Sequence, residues 1–183
     1  MESFVAEKPE IEKEFLTPNP YSRPEVELEQ VNALVVHYTA NPGATAENNR
    51  DYFEGLKLQE GKDNVTYASS HYVIGLEGEI IQCIPLSEIS YASNERNTDT
   101  ISIECCHEDD SGKFTQETYD SLVYLLTWLC AKYGLSAEDI IRHYDVTGKN
   151  CPKYYVEHEK SWKGLKKDVK SCLDAEKKKA LGR

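Results

Sequence analysis

Three side chains in this 183-residue sequence have the chemistry of zinc ligands and fall where structural elements should end. His37 sits near the end of the apolar run Ala33-Leu34-Val35-Val36-His37-Tyr38. His143 and Cys151 flank the polar loop Tyr144-Asp145-Val146-Thr147-Gly148-Lys149-Asn150. That spacing is long enough for both side chains to turn back onto one ion. Two imidazoles and a thiolate would leave one of zinc's four positions open, the arrangement of a catalytic rather than a structural site. Spacing alone leaves open the alternative of surface histidines and a buried thiol. Glu104 is a further candidate. A carboxylate inside Ile101-Ser102-Ile103-Glu104-Cys105-Cys106 is costly to bury without a task, although strand alternation also permits it to face solvent.

The elements that must position these residues are legible in the pattern. Ala33–Tyr38 reads as a buried strand running into the loop Thr39-Ala40-Asn41-Pro42-Gly43. A helix including Asn48–Leu56 is expected within residues 44–59. Ser70–Leu76 and Glu79–Ile84 read as a hairpin through Glu77-Gly78, and Thr100–Cys106 as a fourth strand. Thr115 should cap a long helix whose apolar stripe is Leu122, Leu125, Leu126 and Leu129, and Gly134 should end it. Ile140 and Ile141 suggest a short strand that delivers His143 into a loop. A closing helix is expected at Trp162–Leu173. The whole predicts a single α/β domain, a mixed central sheet flanked by helices. An extended arm over residues 1–30, with three prolines between Pro18 and Pro24, precedes the domain at 31–173, and a frayed charged tail, 174–183, follows it.

Composition narrows the function. The formal charge of -11 argues against a nucleic-acid partner and weakly against anionic membranes. The longest apolar stretch, Leu122–Ala131, is too short to span a bilayer. Met1–Phe15 has no hydrophobic run and does not read as a secretory signal. The six cysteines are too sparse for a disulfide-stapled scaffold, so most should be buried thiols.

The block Arg142-His143-Tyr144-Asp145-Val146-Thr147-Gly148-Lys149-Asn150-Cys151-Pro152, with Val35-Val36-His37-Tyr38-Thr39 and Ile101-Ser102-Ile103-Glu104, resembles the type-2 N-acetylmuramoyl-L-alanine amidases. That family includes phage lysozyme-like amidases and is similar to peptidoglycan recognition proteins. The resemblance implies one zinc per chain, in a groove on one face, held by His37, His143 and Cys151. It implies Glu104 as general base and Lys149 as the group that steadies the oxyanion. The reaction implied is hydrolysis of the amide between the lactyl group of N-acetylmuramic acid and L-alanine of the peptidoglycan stem peptide. The chain would then act at the cell wall, after secretion or release at lysis, or in cytoplasmic recycling. Peptidoglycan or muropeptide is the implied partner, and a monomer is favoured. Some phage members carry a catalytic tyrosine where this chain has Ser70, which should leave proton transfer to Glu104. Asp145 is a candidate to orient an imidazole.

The polar segment Tyr91–Thr98 should sit at the rim of the groove and offer Asn94 and Arg96 to substrate. His71 either lines the groove or is a satisfied sheet histidine. His107, at the head of an acidic loop, should be exposed. Three rival readings remain: a recognition domain that binds muropeptide without cutting, a hydrolase using Cys151 as nucleophile with His143, and a structural zinc protein with His71 as fourth ligand.

Overall fold

The computed structural model describes residues 6–182; the first five residues of the arm, and Arg183 of the tail, lie outside them. Six strands form one mixed sheet: β1 (Glu12–Lys13), β2 (Ala33–Tyr38), β3 (Tyr72–Ile74), β4 (Ile80–Gln82), β5 (Thr100–Cys105) and β6 (Ile140–Arg142). Their order across the sheet is β1-β4-β3-β5-β2-β6. Among these six strands only the β3–β4 hairpin pairs antiparallel. The helices are α1 (Ala46–Gly55), α2 (Gln116–Tyr133), α3 (His143–Thr147), α4 (Lys153–Glu157) and α5 (Glu159–Leu181).

Strand alternation divides the residues of the sheet between two jobs. Leu34 and Val36 of β2, with Ile101 and Ile103 of β5, face the main core, where they meet Leu122, Leu125 and Leu129 of α2 and Leu165 and Val169 of α5. Full burial of each such side chain contributes roughly 1.5–3 kcal/mol. The intervening residues point to the opposite face. There Val73 and Ile81 pack with Ala46 and Phe53 of α1 in a smaller cluster. His37 is paired in register with Glu104, and Glu104 with Val73, so all three emerge on this α1 face. The period of two thus places chemistry on one side of the sheet and most of the apolar core on the other.

The long helix α2 begins and ends where the sequence indicated. Thr115 accepts a hydrogen bond from the Thr118 amide, and Gly134 closes the helix in the left-handed conformation. The hairpin turn docks against it: Ser121 Oγ donates to the Gly78 carbonyl at 2.6 Å.

Several elements differ from the expectation. His143 opens a helix rather than entering a loop. Asp145 accepts from the Arg142 amide at 2.8 Å and so starts α3, and Gly148 ends it at φ 79°. α4 was not anticipated. The last helix begins at Glu159 and runs through Asp174 to Leu181, so the described tail is helical to Leu181 where fraying was expected. In the arm, Leu16 and Leu28 are buried, and Glu12–Lys13 adds a parallel edge strand to β4.

Candidate active site

The C-terminal end of β2 and the start of α3 bring His37 and His143 to a ring separation of 4.8 Å. Cys151 arrives from the turn after α3, which is tied back by the Tyr144 amide donating to the Cys151 carbonyl at 2.9 Å. Ligand atoms of His37, His143 and Cys151 all lie within 4.8 Å of one another, and all three residues are buried. His37 Nδ1 is 3.8 Å from Cys151 Sγ.

The second nitrogen of each imidazole is occupied. His37 Nε2 lies 3.2 Å from Ser93 Oγ, which lies 2.8 Å from Ser102 Oγ on β5. His143 Nε2 lies 2.9 Å from Asn94 Oδ1. An amide oxygen only accepts, so His143 carries its proton on Nε2 and keeps the Nδ1 lone pair for a ligand. Asp145, the expected orienting group, instead holds the Arg142 guanidinium at 2.9 Å. The residues that hold the rings are Ser93 and Asn94. Asn94 was singled out for substrate; the role of Ser93 left no signal in the sequence.

Glu104 rises from the sheet into the same groove, beside the cluster. Its Oε2 is buried without a hydrogen-bond partner. Burial pushes its carboxyl up to about 8, against the opposing pull of the Lys149 ammonium. Burial, then His143 and Lys149, holds the His37 imidazole well below its ordinary range. Burial likewise pushes the Cys151 thiol up to about 12, reinforced by Glu104 and opposed by the Tyr38 amide and Lys149. Lys149 is exposed at the groove and bears on all three groups. The groove has a volume of about 440 Å³, within the range of small-molecule sites.

Two expected substrate residues are spent elsewhere. His71 is fully buried: its Nδ1 accepts from the Ser102 amide at 3.0 Å and its Nε2 donates to the Glu88 carbonyl at 2.8 Å. It is a satisfied sheet histidine and does not line the groove. Arg96 folds back onto Asp99 at 2.7 and 2.9 Å and pins its own turn. Asn94 does line the groove. His107, expected at the surface, is buried beneath the Tyr38 ring, with Nδ1 on the Asp109 carbonyl.

The donor set fits a metal ion. Two neutral imidazoles and a thiol converge, the imidazoles are oriented from behind, and an orphaned carboxylate oxygen lies alongside. Among the described residues no fourth histidine, cysteine or carboxylate completes the cluster. This open three-donor arrangement speaks against the structural-zinc reading. The shifts speak against a cysteine nucleophile, which needs a lowered thiol pKa and a charged imidazole partner.

Sheet and site together define a single α/β domain with a three-donor cluster able to hold a metal. The family model described as N-acetylmuramoyl-L-alanine amidase matches residues 27–154. The chain is 37% identical over 173 residues to N-acetylmuramoyl-L-alanine amidase CwlL of Bacillus licheniformis, covering 88% of this chain and 47% of that protein. It is 34% identical over 180 residues to N-acetylmuramoyl-L-alanine amidase BlyA of Bacillus subtilis strain 168, covering 87% and 46%. The chain belongs to the N-acetylmuramoyl-L-alanine amidase family. It spans about half the length of these curated relatives. The solved catalytic domain of XlyA superposes with a TM-score of 0.71 at 24% identity, over 87% of this chain and 99% of that one, and so shares its fold.

Proposed function

We propose that this domain is a zinc-dependent amidase that hydrolyses the bond between the lactyl group of N-acetylmuramic acid and L-alanine in peptidoglycan. The observation that carries the reading is the pairing of the open His37–His143–Cys151 cluster with the unpartnered oxygen of Glu104 in one groove. Kinship to named amidases supports it.

His37, His143 and Cys151 would hold the ion. When bound, zinc supplies Lewis-acid polarisation of the carbonyl and a lowered pKa for water. Ser93 and Asn94 fix the two rings so that no reorientation is needed during reaction. Glu104 takes a proton from the attacking water and returns it to the nitrogen of the departing L-alanine. Its buried, unpartnered oxygen is the acceptor for the first transfer. Lys149 faces the negative charge that develops on the carbonyl oxygen, a donor role worth about 3–4 kcal/mol in comparable sites. Ser70 is engaged with the Tyr72 carbonyl at 2.8 Å and has no part in proton transfer. The substrate partner is peptidoglycan, and the place of action is the cell wall. No described helix is long and apolar enough to cross a membrane.

The test is direct. Purified protein should carry about one zinc per chain, and His143→Ala should lose most of it. The wild type should release new L-alanine amino termini from muropeptide, and a chelator should stop the release. Retained muropeptide binding without release would establish a recognition domain instead.

A further inference from the structure

Away from the metal cluster, the groove changes character. Tyr67 and Tyr91 line it there, with ring centroids 5.6 Å apart at 83°. Tyr21 from the arm backs Tyr67 at 5.7 Å. The chain is pinned on both sides of Tyr67, and Gln59 exchanges hydrogen bonds with the Thr66 backbone on one side. The Ala68 amide donates to the Tyr21 carbonyl at 3.2 Å, and the Ser69 amide to the Tyr91 carbonyl at 3.0 Å. Ser69 Oγ in turn accepts from the Tyr91 amide at 2.9 Å. Yet Tyr67 leaves 55% of its surface in water. A ring that is fixed in place and still exposed offers a preformed apolar face whose ordering cost is already met by the fold.

Charge separates this part of the groove from the rest. Lys149 bears on His37, His143, Glu104 and Cys151, whereas the group that bears on Tyr91 is the phenol of Tyr67. The nearby polar lining is neutral, with Asn97 and Ser69. A stem peptide brings carboxylates and calls for a cation. A pyranose brings a face of C–H bonds, ringed by neutral hydroxyl and acetamido groups. An aromatic face flanked by amide and hydroxyl groups suits the second.

We infer that Tyr67, supported by Tyr91 and Tyr21, forms a stacking platform for a sugar ring of the glycan, while the acidic stem peptide lies toward Lys149. This deepens the amidase reading and rests on it for the identity of the sugar. The platform predicts that this enzyme draws part of its selectivity from the glycan and not from the peptide alone.

Two measurements test it. In the first, wild type and Tyr67→Ala are compared on a muropeptide carrying the disaccharide of N-acetylglucosamine and N-acetylmuramic acid, and on the sugar-free D-lactyl peptide. The ratio of kcat/KM between the two substrates should fall about tenfold in Tyr67→Ala, the scale of one lost aromatic contact, and be restored in Tyr67→Phe. An unmoved ratio overturns the platform. In the second, the peptide-free disaccharide is titrated into each protein by NMR. Weaker binding to Tyr67→Ala than to wild type supports the platform even if wild type hydrolyses neither substrate, an outcome that would sink only the amidase reading. Equal binding, or none to wild type, overturns the platform whether or not hydrolysis is seen.

Discussion

Asn94 holds the far side of the His143 ring: its Oδ1 lies 2.9 Å from Nε2. The residue does so from the left-handed region, at φ 51°, where a side chain other than glycine is uncommon. Asparagine tolerates that conformation better than most residues. The contact fixes both the tautomer and the angle of the ring, and so decides which nitrogen faces the cluster.

Asn94→Ala should therefore weaken zinc binding about 10- to 100-fold, the usual cost of losing a group that orients a ligating histidine. Asn94→Asp keeps an acceptor at the same place and should retain most of the affinity. Competition against a chromophoric chelator measures both. Equal affinity in wild type and Asn94→Ala would remove Asn94 from the metal site.

As the proposed general base, Glu104 must be ionised to accept a proton, so its environment should set the acid side of the pH profile. Burial pushes it up to about 8, and Lys149 pulls it down. The acid limb of kcat/KM should lie above the ordinary carboxylate value of 4.5 and no higher than about 8, because a bound dication also favours the anion. Lys149→Met removes one positive charge and should move that limb to higher pH as well as lower the rate. Glu104→Gln should cut kcat by about 10²–10⁴ while leaving the zinc content intact. A limb that stays put in Lys149→Met would show that the lysine does not bear on the base.

Much of this site could be read from the chain because its three donor residues stand at element boundaries. His37 is the penultimate residue of an apolar strand, and His143 and Cys151 bracket one short polar segment. The cost of burying a carboxylate in the apolar run Ile101–Cys106 already singled out Glu104, and the caps of α2 were visible as Thr115 and Gly134. What escaped detection has physical causes. α3 and α4 are five residues each, too short for an apolar period to show. The stripe of α5 ends at Leu173, after which lysines and acids continue the helix without a buried face. Ser93 looks like any loop serine until the fold sets it between His37 and Ser102. Arg96 looked free, but its partner Asp99 stands three residues on, the distance at which a tight turn lets an ion pair close.

The hairpin turn offers a prediction separate from the chemistry. Gly78 has φ 85°, and a Cβ there would lie 2.8 Å from the Glu117 carbonyl oxygen and 2.7 Å from Ser121 Oγ. Serine can rotate away, but the helix backbone cannot. Gly78→Ala should destabilise the domain by about 2 kcal/mol or more, from the left-handed backbone together with the clash. Urea unfolding measures it, and the zinc content of the folded fraction should be unchanged. A loss under about 0.5 kcal/mol, the range of ordinary surface changes, would mean the turn is free to shift away from α2.

His71 carries the last prediction, a pH dependence of stability. The Ser102 amide donates to its Nδ1, so the neutral ring is the form the sheet accommodates. Burial lowers its pKa to about 4, while the unfolded chain takes up the proton near 6.5. Between those values the unfolded state binds more protons, so stability is full above about pH 6.5 and falls as the pH drops toward 4. The contribution lost by pH 4.5 is on the order of 2–3 kcal/mol. His71→Gln cannot titrate. It should be less stable than wild type at pH 7, because it disturbs two buried hydrogen bonds, but the gap should narrow by that amount at pH 4.5. Urea unfolding of the two proteins at both pH values isolates the effect, since every other titrating group is common to them. A gap that is the same at pH 7 and pH 4.5 would mean that His71 is protonated in the folded sheet as readily as in the unfolded chain.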